Sequence, residues 1–382
     1  MSSFLAFLDT KPLFYDEIDY DRMPRVWDRI KIHFKLPKII HIVGTNGKGT
    51  TGRFLAWHLY RAGYRVGHYS SPHILKFNER VWKNGDDCSD KELQKAHEYL
   101  LEILTKEEIE SLSYFEYTTL MAAYLFQDTD FAVMEAGMGG EYDATAVFEQ
   151  KLSLITPIDL DHEAFLGDTI EEIALTKLKS VKKCAILAKQ PNSEVYEVAK
   201  SLSKKRGFSY YFYRDLFSEE EYEEYSKKAH KIGFRGFLKD NLLLSLSALK
   251  YLNIQINLDL FKDLKLFGRV QKISDNVIID AGHNVLAAKA LKEYLGDKKV
   301  VLVYNSYKDK EYKEILNILK PNIKRVEILP ISSKRALETR LLKEYLDTIS
   351  LQNNFFDKIK QDEDYLVFGS FSVVEEFLKG YV

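Results

Sequence analysis

Cysteine is nearly missing from this chain of 382 residues: only Cys88 and Cys184 occur, in unrelated contexts. Two such residues make neither a disulfide framework nor a thiolate metal site, and they suit a reducing compartment. Long apolar runs are missing too, and none would span a bilayer. The first residues, Met1 to Asp9, carry no basic stretch and soon turn charged, which speaks against a cleaved leader. A cytoplasmic protein is therefore expected. An excess of one charge is likewise absent: 55 Lys and Arg oppose 57 Asp and Glu, for a net charge of −2. No bulk attraction to nucleic acid or to a membrane surface follows from that balance. No internal repeat or low-complexity segment is present. What remains is a composition typical of globular proteins, in a length that suits two domains.

The most informative stretch runs His41-Ile-Val-Gly-Thr-Asn-Gly-Lys-Gly-Thr-Thr51. A buried strand leads into a glycine-rich turn, a lysine, two hydroxyls and a helix. Backbone N–H groups freed by glycine point at an anion, and the helix adds its positive end. Lys48 supplies a charge for the terminal phosphates, and a hydroxyl such as that of Thr50 can face Mg²⁺. A glycine turn that bound nothing would need neither the lysine nor the hydroxyls. The glycine spacing is shorter than in the ordinary phosphate loop, a much rarer variant.

Short apolar runs alternate with helical patterns along the chain, which predicts α/β architecture with a mostly parallel sheet. Candidate strands are 39–43, 65–69, 131–134 and 152–158; candidate helices are 51–62, 90–104, 114–127 and 170–182. Residues 1–36 read as largely helical. Residues 191–237 read as a small excursion, with antiparallel strands around Phe208–Arg214 and a solvated acidic face at Glu219–Glu224. A helix is predicted over 240–252. The α/β pattern restarts near Gly268, with strands at 277–280, 300–304, 325–329 and 365–368. The expected division is an ATP-binding phosphate-loop domain over 1–268 and a smaller Rossmann-like α/β domain over 272–382.

Ligands of open parallel sheets bind at the carboxyl ends of the strands. Several predicted strands end there in unusual polar residues: the Thr45–Thr51 loop, Ser70-Ser-Pro-His73, Glu135 with Ala136-Gly-Met-Gly-Gly140, and Asp159-Leu-Asp-His162. Glu135 suits a Mg²⁺ ligand, with a capping or ion-paired glutamate as the plainer alternative. His162 reads as a metal or supporting ligand, or else as a satisfied core histidine. Lys177 falls on the apolar stripe Ile170, Ile173, Ala174, Leu178, Val181. Either its stem snorkels to water, or its charge is altered, as a carbamate made with CO₂ would do. Asp280-Ala-Gly-His283-Asn284 ends a strand in the second half. Arg269 just before it suits phosphate charge. Asn241 at a helix start reads as a base contact or as an N-cap.

Together these motifs resemble the folylpolyglutamate synthase and dihydrofolate synthase family within the Mur ligase group. The residues that carry the resemblance are Gly44-Thr-Asn-Gly-Lys-Gly-Thr50, Tyr69-Ser-Ser-Pro-His73, Tyr114-Phe-Glu-Tyr-Thr118, Glu135-x-Gly-x-Gly-Gly140, Asp143-Ala-Thr145, Asp161-His162, Gly268-Arg269-x-Gln271, His283-Asn284 and Gly369-Ser-Phe371. The resemblance implies an ATP-dependent ligase that adds L-glutamate to dihydropteroate or reduced folates through an acyl phosphate, acting as a monomer and closing a cleft between two domains. Within it, Asn46, Gly47, Lys48, Gly49, Thr50, Asn241, Arg269, Asp280 and His283 contact ATP. Ser71 and Glu135 hold the nucleotide Mg²⁺; His162 and a carbamylated Lys177, with Glu135, hold a second. Lys48, Lys177, His162 and Arg269 carry the catalysis. Tyr114, Phe115, Glu116, Tyr117, Tyr142, Asp143 and Ala144 form the pterin side. The chain departs from the family at Glu141 (usually Arg), Ala146 (Asn), Thr176 (Glu), Phe267 (Pro) and Val285 (Pro). Another Mur-type amino-acid ligase, or a nucleotide-binding protein without catalysis, remains the alternative at this level.

Overall fold

The computed structural model describes residues 3–12, 19–161 and 163–381. The chain divides into two compact units, Met1–Phe234 with Leu238–Lys262, and Arg235–Phe237 with Asp263–Val382. Gly268 and Arg269 thus belong to the second unit.

In the first unit the apolar runs become β1 (Lys38–Val43), β2 (Val66–Tyr69), β3 (Val81–Lys83), β4 (Asp86–Asp87), β5 (Phe131–Glu135), β6 (Gln150–Ile155), β7 (Cys184–Leu187) and β8 (Ser209–Phe212). Their order is β4-β3-β2-β5-β1-β6-β7-β8. From β2 to β8 neighbours run parallel, and β3 and β4 add an antiparallel edge. β1 is buried from Ile39 onward, as a strand covered on both faces requires of its sequence. One core cluster joins Trp27, Leu100, Met121 and Phe148; another joins Ile155, Ile173, Leu178 and Val195.

The predicted helices appear as Lys48–Arg61, Asp90–Ile103, Tyr114–Leu125 and Ile170–Leu178. Capping boxes at Ser89/Glu92, Ser113/Glu116 and Thr169/Glu172 set three of their starts. The last helix stops at Leu178, short of the predicted end, because the Ser180 hydroxyl takes the Lys177 carbonyl at 2.7 Å.

Residues 191–237 hold no antiparallel strands. A helix, Glu194–Arg206, ends on left-handed Gly207 and returns the chain to β8, which pairs parallel with β7. A helical crossover between neighbouring strands leaves them parallel. The acidic run opens a further helix, Glu219–Lys231, capped by Ser218 and laced by Glu223–Lys227 and Glu224–Lys228 pairs. The helix predicted at 240 begins earlier and spans Phe237–Tyr251.

The second unit holds β9 (Gln271–Ser274), β10 (Val277–Asp280), β11 (Val300–Tyr304), β12 (Ile323–Ile328), β13 (Asn353–Phe355) and β14 (Tyr365–Phe368). Their order is β13-β12-β11-β14-β10-β9, all parallel except β9. Both units are α/β with mostly parallel sheets, the class the sequence predicts. Among the described residues no helix is long and apolar enough to cross a membrane.

Candidate active site

β1 lies between β5 and β6, so three strand ends meet: Ile42 is level with Glu135, and Val43 with Ile155. The loop Gly44–Gly47 leaves β1 and is tied to the segment after β6. The N–H groups of Thr45 and Asn46 donate to the Pro157 carbonyl at 2.9 and 3.3 Å, and the Thr45 hydroxyl donates to the Asp159 carbonyl at 3.0 Å. Gly47 is left-handed at φ 86° and opens the helix, a conformation glycine takes without strain. A Cβ there would sit 2.6 Å from the Asn241 side-chain oxygen. Asn241 therefore reaches the loop from the second turn of its helix rather than capping a helix start.

Lys48 folds back on the loop and donates to the carbonyls of Gly44 and Thr45 at 3.1 and 3.2 Å. Lys177 arrives from the helix Ile170–Leu178 and donates to the same Gly44 carbonyl at 3.1 Å. It is buried, so its head does not snorkel to water. Burial, and then the Lys48 charge, push its pKa down to about 7. Glu135 is buried at the end of β5, and its Oε2 accepts the Ser71 N–H at 3.3 Å. A Cβ on Gly49 would lie 3.2 Å from that same oxygen. The carboxylate thus occupies the room where the ordinary phosphate loop carries a side chain after its lysine. The buried carboxylate of Glu135 supplies a hard oxygen of the kind Mg²⁺ takes, while the helix N-terminus beside it suits the phosphates. Among the described residues no three His, Cys, Asp or Glu side chains converge on one point. Of the expected ligands, Ser71 and Glu135 stand together, Lys177 shares the loop, and His162 lies outside the described residues. His73 accepts the Arg80 Nε–H at 2.8 Å, and burial with Arg80 nearby lowers its pKa to about 4.

The glycine-rich segment after Glu135 is shaped by Asp143. Its buried carboxylate accepts the N–H groups of Gly137 at 2.8 Å, Met138 at 3.1 Å and Thr145 at 2.9 Å. Thr145 in turn bonds His41 on β1 at 2.8 Å. Gly140 packs directly on the Lys177 backbone: a Cβ there would meet the Lys177 Cα and carbonyl oxygen at 2.6 Å. Phe115 packs under Gly137 in the same way. Tyr142 is exposed and lies tilted against Tyr20 with ring centres 4.3 Å apart, beside a cavity of about 270 Å³ lined by Trp27, Glu141 and Val147. Glu116 pairs with Arg22 at 2.9 Å, and Tyr114 is half-buried. Ala144 is buried. Tyr117, expected on the pterin side, is a core residue: it is fully buried and its hydroxyl bonds His97 at 2.8 Å.

In the second unit β10 ends at Asp280, whose two oxygens accept backbone N–H groups of Val270 and Gly282 at 3.0 and 2.8 Å. The Arg269 guanidinium lies 4.8 Å from the Phe371 ring centre, and His283 is 6.1 Å from that ring. Asn284 caps the helix Val285–Leu295 through the Ala287 N–H at 3.0 Å.

No family model matches the chain. The dihydrofolate synthase/folylpolyglutamate synthase of Haemophilus influenzae is 30% identical over 428 residues, covering 99% of this chain and 96% of that protein. The chain belongs to this family. A crystal structure of Helicobacter pylori folylpolyglutamate synthetase is 38% identical at a TM-score of 0.78, covering 98% of this chain and 97% of that one. The bifunctional folylpolyglutamate synthase/dihydrofolate synthase of Yersinia pestis, complexed with AMPPNP and Mn ion, is 26% identical at a TM-score of 0.83, covering 98% and 96%.

Against that family the departure at Glu141 has a local partner that the sequence reading missed. Glu141 pairs with Lys179 at 2.7 Å, and its N–H donates to the Thr176 carbonyl at 2.9 Å. The acid at 141 meets a base two residues past Lys177 and three past neutral Thr176. The alternation Thr176-Lys-Leu-Lys179 was the only sequence signal for it.

Proposed function

We propose that the chain is a bifunctional dihydrofolate synthase/folylpolyglutamate synthase: an ATP-dependent, ADP-forming ligase that joins L-glutamate to dihydropteroate and to reduced folates. The observation that carries this reading is the meeting of Lys48 and Lys177 on the Gly44 carbonyl, beside the buried Glu135 and a helix N-terminus. Cationic groups and freed amides gather there around one carboxylate, an arrangement made for a triphosphate and its metal.

The loop Asn46–Thr50 holds the triphosphate, with Lys48 balancing its charge. A carboxylate oxygen of the pteroate or folate attacks the γ-phosphorus; the bond to the bridging oxygen breaks and ADP departs. The amine of L-glutamate then attacks the acyl carbon, phosphate leaves, and the amine gives up its proton. The protein orients two substrates and keeps water from the acyl phosphate. Ser71 and Glu135 would hold the nucleotide's Mg²⁺, and Glu135, His162 and Lys177 a second. Such ions, when bound, neutralise charge on the phosphoryl group.

Lys177 as a carbamate is part of the same reading. An amine with its pKa at about 7 is partly free of its proton at neutral pH. It can form an N–C bond to CO₂, lose a proton and become an anion able to hold metal. Asn241, Arg269, Asp280 and His283 complete the nucleotide contacts in this reading, and Tyr114, Phe115, Glu116, Tyr142, Asp143 and Ala144 the pterin side. In this reading the enzyme is cytoplasmic, which its two buried free cysteines support, and a monomer, as the family resemblance implies. ADP formation measured with L-glutamate and either dihydropteroate or tetrahydrofolate tests the reading. Glutamate-dependent release with each of the two pterins supports it; release with only one rejects the bifunctional reading, and release with neither rejects the ligase.

A further inference from the structure

Val270 stands in the left-handed region at φ 44°. That conformation crowds a β-branched side chain against its own backbone, whereas glycine takes it readily. Local preference does not put a valine there, so its surroundings must. The buried carboxylate of Asp280 supplies the main restraint, accepting the Val270 N–H at 3.0 Å with one oxygen and the Gly282 N–H at 2.8 Å with the other. The turn is closed on its other side by Gly268, itself left-handed at φ 63°. The Gly268 N–H donates to the Gln271 side-chain oxygen at 2.9 Å, and its carbonyl accepts the Ala281 N–H at 3.0 Å. Arg269 lies between these two left-handed residues. Its Nη1 donates to the Gly268 carbonyl at 3.0 Å while the guanidinium rests 4.8 Å from the Phe371 ring centre. Backbone strain of this kind persists only where the surroundings over-determine it, and it clusters at functional sites.

We propose that Asp280 is a positioning residue for Arg269: by holding the Val270 N–H it fixes the strained turn that aims the guanidinium. The proposal rests on the reading in which Arg269 meets the nucleotide's phosphates, and it gives Asp280 a role through the backbone in addition to its contact with the nucleotide. The two roles respond differently to a change at Val270. A group that touches the nucleotide cannot be replaced by altering the backbone of residue 270. A staple becomes dispensable once residue 270 takes the left-handed conformation unaided.

Asp280→Asn keeps one acceptor oxygen but turns an NH₂ toward a backbone N–H. It is expected to lower turnover roughly tenfold and to raise the KM for ATP. Adding Val270→Gly should return the share of that loss that passes through the turn, a severalfold recovery of turnover. Absence of any recovery in the double variant overturns the proposal, as does undiminished turnover in Asp280→Asn. A readout independent of activity, and of how Asp280→Asn folds, is the thermal midpoint of single variants at 270. Val270→Gly should be more stable than Val270→Ala, the reverse of the ordinary order; an alanine variant that is the more stable one overturns the staple. Full turnover in Arg269→Ala would instead reject the reading of Arg269 on the phosphates, while the midpoint order at Val270 still reports on the staple.

Discussion

Lys48 and Lys177 donate to one carbonyl oxygen, that of Gly44, each over 3.1 Å. One comes from the first turn of the helix after β1, the other from the end of a helix more than a hundred residues later in the chain. Two ammonium groups on one acceptor repel, and the buried one yields its proton more easily. Lys177→Ala should abolish turnover, and acetate or another short carboxylate should restore part of it by standing in for the proposed carbamate. Labelled bicarbonate should be retained by the wild type and not by the variant. Full activity in Lys177→Ala without any additive would remove Lys177 from the mechanism.

The Glu141–Lys179 pair, at 2.7 Å and about one-third exposed, ties the glycine-rich segment to the helix carrying Lys177. Partly exposed pairs are worth about 0.2–1 kcal/mol. Glu141→Lys should lower the thermal midpoint slightly and turnover several-fold, and the exchange Glu141→Lys with Lys179→Glu should recover both. A double-mutant cycle with no coupling would show that the pair holds nothing.

Gly140 leaves no room for a side chain against the Lys177 backbone. Backbone atoms at 2.6 Å cannot rotate aside, so Gly140→Ala forces the segment off the helix at a cost of about 1–3 kcal/mol. Denaturant unfolding should show that loss, and turnover should fall much further than the folded fraction does. Equal losses in both would mean that the contact serves stability alone.

Tyr117→Phe separates core from binding site. It removes the hydroxyl bonded to His97 Nδ1, whose other ring nitrogen already has no hydrogen-bond partner among the described residues. The expected cost is about 1–3 kcal/mol in stability, with the KM for the pterin substrate unchanged. A raised KM with unaltered stability would return Tyr117 to the pterin side.

His41 and His58 are fully buried, and burial lowers their pKa from 6.5 to about 3 and about 4. Both groups bind fewer protons folded than unfolded below pH 6.5. Above that pH neither state is protonated and the contribution to stability is complete. As the pH falls, the unfolded chain alone gains protons, and each histidine removes about 1.4 kcal/mol per unit until its folded pKa is reached. Urea midpoints should drop from pH 7 to pH 5, less steeply in His58→Gln.

The phosphate loop, Glu135 and Lys177 were legible because each breaks a local pattern. A lysine follows a glycine turn, an acid ends an apolar strand, and a cation lies on an apolar stripe. Tyr117 was misplaced because its motif wraps around a helix: Tyr114 and Phe115 are half-buried while Tyr117 points to His97. The parallel pairing of β8 could not be read from residues that spell only an edge strand. Asn241 against Gly47 and Lys179 against Glu141 are contacts across long stretches of chain, and no local period encodes them. The glycine that follows Lys48 was visible; the Glu135 oxygen over it was not.

Glu135 and the loop stand on neighbouring parallel strands, level at Ile42. Their separation is therefore measured out by the hydrogen-bond ladder, which spaces strands about 4.8 Å apart whatever side chains they bear. Repacking the apolar interior on either face of the sheet changes how firmly this ruler is held, but not its length. The enzyme's interior can drift in sequence, residue by residue, without detuning the distance between its carboxylate and its phosphate loop.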